Sequence, residues 1–453
     1  MIVRSNVSER VEEISAAEPE PAASIEYPHL RRNFFLGVFN GAMFSFAESL
    51  LSVDTVLTWF VQQLGGSNFL IGLVGPMRDA GWFLPQLFVS KWQERHSLKM
   101  PLYRKVTVVR TLAWLTWTVL ILTSKDLALV LLVFFVAYAI YSLSGGVSGL
   151  SFMDVVAKTI PIRRRGAYFG GRLFLGGLLS LVAGLIVSLM LNDTNPADFP
   201  ANVGWISVIG WVAATLGLFA FSQVIEPPGD VRPEPNTMVS HVRRAVRLPR
   251  HNHNLRYFLI ARVVLFLSYV AAPFYAIYSI DVLHAPVWVI GLYVGVRTVA
   301  SLAINPLWAR LSDRRGNRLV MRAATACGLE VPAWAIFMPL LAGALPVSAE
   351  VMSFLFVPIF VLLGLYETGV GIGASNLLLE IAPIDDRAIY IGFTNTILGV
   401  AYFSTVVSGL LVDWLGYRGV FILALIFFAV AFWALSLVRE PRELEKDVVS
   451  HEN

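Results

Sequence analysis

Long apolar stretches separated by short polar clusters run the length of this chain, and several exceed the roughly 20 residues a helix needs to cross a bilayer. They predict twelve membrane-spanning helices at about 33–62, 68–92, 104–123, 127–156, 167–191, 202–224, 257–282, 286–310, 318–342, 349–381, 388–412 and 417–438. The polar clusters differ by side. Arg95, Lys99, Arg104 and Lys105 follow span two, and Lys158, Arg163, Arg164 and Arg165 follow span four. Arg232, Arg243, Arg244, Arg247 and Arg250 follow span six, and Arg314, Arg315 and Arg318 follow span eight. The opposite connections hold only Lys125 and Arg418. Positive loops stay inside, so both termini are expected in the cytoplasm, in a bacterial inner (plasma) membrane.

This pattern divides the chain into a tail (1–31), a six-helix bundle (32–224), a linker (225–256), a second bundle (257–438) and a closing tail (439–453). The first tail is acidic, lacks an apolar h-region, and reads as disordered and cytoplasmic. In the linker, Val242 to Leu248 reads either as solvated chain or as a short basic helix on anionic lipid. His251-Asn252-His253 there reads as linker chemistry.

Composition agrees with a membrane protein. Of 453 residues, 56% are hydrophobic and 15% charged, against about 25% charged in soluble domains. The single cysteine, Cys327, excludes a disulfide framework or thiolate metal site within the chain. The net charge of +4 does not point to nucleic acid, because the basic residues sort by membrane side. No phosphate loop, zinc spacing or nucleophile elbow is present, which argues against an enzyme, a cofactor and ATP-driven transport.

The chain repeats itself. Ile71-Gly72-Leu73, four residues, then Arg78 recurs 219 positions later as Ile290-Gly291-Leu292, four residues, then Arg297. Pro161-Ile162, Arg165, Tyr168 and Gly170 match Pro383-Ile384, Arg387, Tyr390 and Gly392 at constant spacing. The halves share an orientation, so parallel six-span repeats are expected.

Both matched arginines lie about 15 Å inside their helices, half the depth of the hydrocarbon core. Glu48, Asp54, Asp79, Glu330 and Glu367 share this layer. Each such charge costs about 2.5–3.5 kcal/mol at a helix centre, so all should face protein or water. Two readings stand open. Arg78 and Arg297, with Glu48 and Glu367, bind an anionic group of a substrate, and one acid (Glu48, Asp54, Asp79, Glu330 or Glu367) carries a coupling proton. Alternatively, each arginine pairs with an acid of its own half and fixes packing. Arg110 and Arg262 lie near span ends and are expected to snorkel. Asn40, Ser45 and Tyr366 line the cavity or bond between helices. Trp59, Trp92, Trp205 and Trp414 are expected at the interface; Trp82, Trp114 and Trp117 lie deeper, in packing or against a lipophilic solute.

After span eight comes Ala309-Arg310-Leu311-Ser312-Asp313-Arg314-Arg315-Gly316-Asn317-Arg318, and after span two Ser90-Lys91-Trp92-Gln93-Glu94-Arg95-His96-Ser97-Leu98-Lys99. The first resembles the Gly-x-Leu-x-Asp-Arg-x-Gly-x-Lys/Arg loop of the major facilitator superfamily; the second keeps an acid and its Arg but loses both glycines. The resemblance implies an all-α fold of twelve helices in two pseudo-symmetric bundles, and secondary transport of a small molecule by alternating access. It implies gating loops in which Asp313, with Arg314, Gly316 and Arg318, holds the start of span five near Arg165. Glu94, with Arg95, would hold span eleven near Arg387. Membrane lipids, a proton as coupling ion and a monomeric state complete the expectation. An exporter of amphipathic, drug-like compounds and a transporter-like sensor or assembly factor remain as alternatives.

Overall fold

Regular structure is entirely helical in the computed structural model, which describes residues 29–192, 195–229, 247–250, 252–344, 347–383 and 387–440. The long helices are α1 (Leu30–Leu50), α2 (Asn68–Glu94), α3 (Met100–Thr123), α4 (Leu127–Thr159), α5 (Ile162–Met190) and α6 (Ala201–Ser222). They continue as α7 (His253–Leu267), α8 (Val289–Arg315), α9 (Asn317–Ala344), α10 (Ala349–Ile381), α11 (Arg387–Phe403) and α12 (Ser408–Leu437). Among the described residues, ten helices are long and apolar enough to cross a membrane. The last, Phe393–Leu437, joins α11 to α12. It breaks at Gly416, whose φ of 66° is one that residues with a Cβ rarely adopt.

Side-chain chemistry sets several helix starts. Asp126 accepts from the Ala128 and Leu129 amides at 3.0 and 3.2 Å and so caps α4. Ser348 caps α10 through the Val351 amide. Within the linker triplet, Asn252 caps α7 by accepting from the Leu255 amide at 2.9 Å. The outer faces are apolar: exposed Phe174, Leu178, Val182, Leu185 and Leu189 line one side of α5 at helical spacing. That inversion, with large apolar residues outside, suits hydrocarbon as solvent.

Duplication is visible in lengths and joints. Helices α2 and α8 each have 27 residues, and α4 and α10 each have 33. The first helix of each half breaks partway. After α1 comes a π turn, Val53–Leu57, then a short helix, Thr58–Gln63; after α7 comes a 3-10 turn, Ser268–Phe274, then Tyr275–Asp281. Each half also closes on itself. The Asn33 side chain exchanges hydrogen bonds with the Ile225 backbone at 2.9 and 3.1 Å. Asn254 does the same with Arg439 at 3.0 and 2.8 Å. Arg104 donates to the Ser222 carbonyl at 2.9 Å, and Arg318 to the Ser436 carbonyl at 2.8 Å.

A buried carboxylate reinforces the first of these joints. Glu226, 1% exposed, accepts from the Lys99 and Met100 amides at the start of α3 and from Lys158 at 2.9 Å. Burial disfavours the Lys158 ammonium, but hydrogen bonds and charge from Asp154 and Glu226 outweigh it, and its pKa lies above the ordinary lysine value. In the second half Glu440 sits in the corresponding place, against Gly316, where a Cβ would strike its carboxylate. Gly316 ends α8 with φ 87°.

The halves meet closely on the face opposite these joints. Gly72 packs on Gly409, and Gly184 on Gly291 and Gly295, each so tightly that an added Cβ would collide with facing backbone. Gln62 donates to Asp281 at 2.7 Å and Asn68 to Asp413 at 2.6 Å across the same seam. The principal inter-half packings are α5 on α8, and α2 on α11 and α12.

Candidate functional site

Arg78 and Arg297 come to line one cavity of about 350 Å³ between the halves, together with Glu48, Asp54, Ser49, Ser180 and Thr298. Helices α2 and α8 bring the arginines there from opposite sides. Asp54 arrives by a different route. It lies in the π turn that interrupts the first span, and such turns often re-aim side chains at functional sites.

Neither guanidinium is without a counter-charge. Arg78 donates to the carboxylate of its neighbour Asp79, at 2.9 and 3.4 Å. Its side chain remains 39% exposed. The Tyr402 hydroxyl, on α11, also bonds Asp79. Arg297 donates to both oxygens of Glu367, at 3.0 Å to one and closely to the other. It also reaches Asp54 of the other half at 3.3 and 3.4 Å. The bidentate fork to Glu367 is the stronger geometry; the Asp54 contacts are longer, but they cross the seam.

Two arginines and two carboxylates, Glu48 and Asp54, line the cavity, while Asp79 and Glu367 stand behind the arginines and Arg262 stands beside Glu367. An uncompensated charge in this layer costs several kcal/mol, and the near-balance of the two signs fits that cost.

Other expected residues fall variously. Glu48 accepts from the Tyr141 hydroxyl at 3.5 Å and lines the cavity. Glu367 lies behind Arg297, in a smaller cavity with Arg262, Tyr269, Tyr366 and Tyr402. Glu330 does not join them. It is exposed on α9, on the same face as exposed Phe337 and Leu340. Asp313, Arg314 and Arg95 are exposed near helix ends. Arg165 donates to the Ala157 and Ile160 carbonyls at 2.8 and 3.1 Å, closing the α4–α5 turn. The side chains of Glu94, Arg387 and Trp92 and the basic stretch at 242–246 lie outside the described residues.

Two expectations need correction. Arg110 does not snorkel: it is 5% exposed and stacks on Tyr141 and Phe44, with its guanidinium carbon 4.2 and 5.0 Å from their ring centres. Trp59 is not interfacial but buried, 4% exposed, because the helix break turns it inward. Of the two roles open to Trp114 and Trp117, the structure has packing: both are buried and both donate to Ser207 at 3.0 Å. Trp205 and Trp414 are exposed, at 52% and 82%. Asn40 bonds between helices, donating to the Gly217 carbonyl at 2.9 Å. Glu226 was not singled out as a structural anchor, although the Glu-Pro step after α6 recurs as Glu440-Pro441 after α12.

A family model described as Major Facilitator Superfamily matches residues 34–403 and 258–452. No curated protein sequence matches the chain significantly. Solved structures share its fold at low identity. A nucleoside transporter, NupG in a D323A form, superimposes with TM-score 0.68 at 13% identity, covering 90% of this chain and 100% of that one. A bacterial homologue of the iron transporter ferroportin, inward-facing, gives TM-score 0.66 at 14% identity, covering 90% and 98%. A D-xylose–proton symporter gives 0.64 at 15%, covering 92% and 99%.

Proposed function

The chain belongs to the major facilitator superfamily, and we propose that it is a proton-coupled secondary transporter whose coupling element is the Arg297–Asp54–Glu367 cluster. Its membership makes it a membrane transport protein; the coupling is our reading. One observation carries it. Asp54 and Arg297 form an ion pair from opposite halves at mid-depth, so separating the halves and discharging the pair are one event. A proton on Asp54 removes the charge that draws Arg297 across, while Glu367 keeps its bidentate hold within the second half.

The basic connections support cytoplasmic termini under the positive-inside rule. The glycine seams and the Gln62–Asp281 and Asn68–Asp413 bonds then close the opposite, outer face. That supports an inward-facing state. In it, protonation of Asp54 loosens the seam from within and favours rocking of the halves.

The test needs no substrate. With Cys327→Ala as background, spin labels placed on exposed Arg95 and Arg314 report the separation of the halves at the cytoplasmic face. We expect the distance distribution to shift between neutral and acid pH, and Asp54→Asn to show the acid distribution at both. A pH response that survives unchanged in Asp54→Asn would sink the reading.

A further inference from the structure

One turn towards the termini from the central cavity lies a second one, of about 170 Å³, and among the described residues lining it the only charged groups are cations. Phe44 lines it where the next residue, Ser45, lines the central cavity; Arg172 lines it where Leu173 lines the other. Its polar groups are Asn40, Tyr103, Arg110, Ser148 and Arg172, and among the described residues lining it there is no carboxylate.

Both guanidiniums are held by neutral partners. Arg172 donates to the Gly37 carbonyl and to the Asn40 side-chain oxygen, and lies over Phe152 at 4.6 Å. Arg110 lies over Tyr141 and Phe44, and its Nε is buried with no hydrogen-bond acceptor among the described residues. Stacking on a ring contributes about 0.5–2 kcal/mol per cation, less than the cost of holding a charge at this depth. A buried cation and a part-buried one, with no counter-charge among the described lining residues, leave a site electrostatically incomplete. The rest of the wall is apolar: Phe44, Trp82, Phe152, Met153 and Leu218. Trp82 is 38% exposed and Met153 55%, so the cavity is open on that side.

We propose that this cavity in the first half binds an amphipathic organic anion, its carboxylate or phosphate on Arg110 and Arg172 and its aromatic or alkyl body against Trp82, Phe152 and Met153. The volume, about that of five or six waters at roughly 30 Å³ each, holds an anionic head and one ring. This deepens the transport reading by naming a substrate class, and it rests on that reading only for the consequence that binding leads to translocation. Tyr141 joins the two sites: its ring carries Arg110 and its hydroxyl donates to Glu48. An anion drawing Arg110 off the ring therefore disturbs a carboxylate of the proton-binding cavity.

The experiment is thermal unfolding of the purified full chain in neutral detergent with three water-soluble probes: phenyl phosphate, 4-phenylbutyrate and inorganic phosphate. Nanodiscs of phosphatidylcholine with and without phosphatidylglycerol form a separate arm. Ligands that prefer the native state raise its melting temperature. We expect saturable rises with phenyl phosphate and 4-phenylbutyrate and none with inorganic phosphate. A rise confined to phosphatidylglycerol identifies a bilayer lipid as the source of the same head chemistry. Arg110→Gln and Arg172→Gln should weaken binding at least tenfold. Met153→Glu should do the same while folding normally, because it supplies the missing carboxylate at an exposed position. Asp54→Asn should leave binding intact. No stabilisation by any organic anion, or equal stabilisation in the parent and Met153→Glu, overturns the site. Loss of the pH response with binding retained would instead overturn the coupling role of Asp54 alone.

Discussion

Arg78 and Arg297 stand 219 residues apart at matched positions, yet their surroundings differ in kind. Arg78 is neutralised by the residue beside it, on its own helix. Arg297 is neutralised by carboxylates from α10 and from the broken first span of the other half. A pair between sequence neighbours constrains little beyond itself. A cluster spanning three elements fixes their relative positions, and when one member lies across the seam it also registers the seam's state. Duplication copied the cation; divergence of the acids left one copy touching the far half only through the Tyr402 hydroxyl on Asp79, and tied the other to it directly through Asp54.

The largest effect should come from removing the shared cation. Arg297→Gln strands two carboxylates, and losing one partner of a buried pair costs about 3–5 kcal/mol. Arg78→Gln, at a half-exposed site, should cost clearly less. Thermal unfolding in detergent, with size-exclusion profiles, compares them; equal losses would erase the asymmetry.

A double-mutant cycle sharpens the same contrast. Arg297→Gln with Asp54→Asn should show a coupling energy of about 1–3 kcal/mol, because the substituted groups touch. The Arg78→Gln and Asp54→Asn cycle should give distinctly less. Coupling of the same size in both cycles would mean that Asp54 serves the two arginines alike.

Next in size are the matched joints at the helix ends. Glu226→Gln weakens charge-assisted bonds to two amides and Lys158, a loss of about 1–3 kcal/mol. Glu440→Gln tests whether the second half depends on its copy equally. The lysine adds a pH signature. Its folded pKa is raised, so its contribution is complete below the ordinary lysine value and disappears as pH climbs through the raised one. Parent protein should therefore lose melting temperature on the strongly alkaline side, and Lys158→Gln should lose less over that interval. Identical alkaline limbs would detach Lys158 from the joint.

The smallest effect is expected at Glu330. It lies on the outer face and outside both halves' charge clusters, so Glu330→Gln should leave the distance between the halves at the cytoplasmic face and its pH response unchanged. A large shift in either direction would show that α9 contributes to the comparison after all.

What the chain disclosed before folding follows from periodicity and depth. Apolar runs of the right length locate the helices, and a charge ten residues into one must lie deep, so Arg78, Arg297 and their layer of acids were legible. Pairing was not, because it depends on how each helix is rotated and where it breaks. Asp54 reaches Arg297 only through the π turn at Val53–Leu57, and no hydropathy pattern announces that turn. The same break buries Trp59. Arg110 defies its sequence position for another reason: distance from a helix end says nothing of the rings around it, and Tyr141 and Phe44 hold it inside. Glu226 was within reach. The repeated Glu-Pro after α6 and after α12 is a signal as plain as the arginine repeat, but it sits outside the apolar runs where the search for function concentrates.

The Asn33 and Asn254 bridges have a further meaning. Each fastens the beginning of a half to its own end, as a clasp closes a bracelet. Both clasps are made without any residue from 230 to 246. Two polypeptides cut apart in that stretch and made together should find one another and work, and the single gene then records only that the two are needed in equal number.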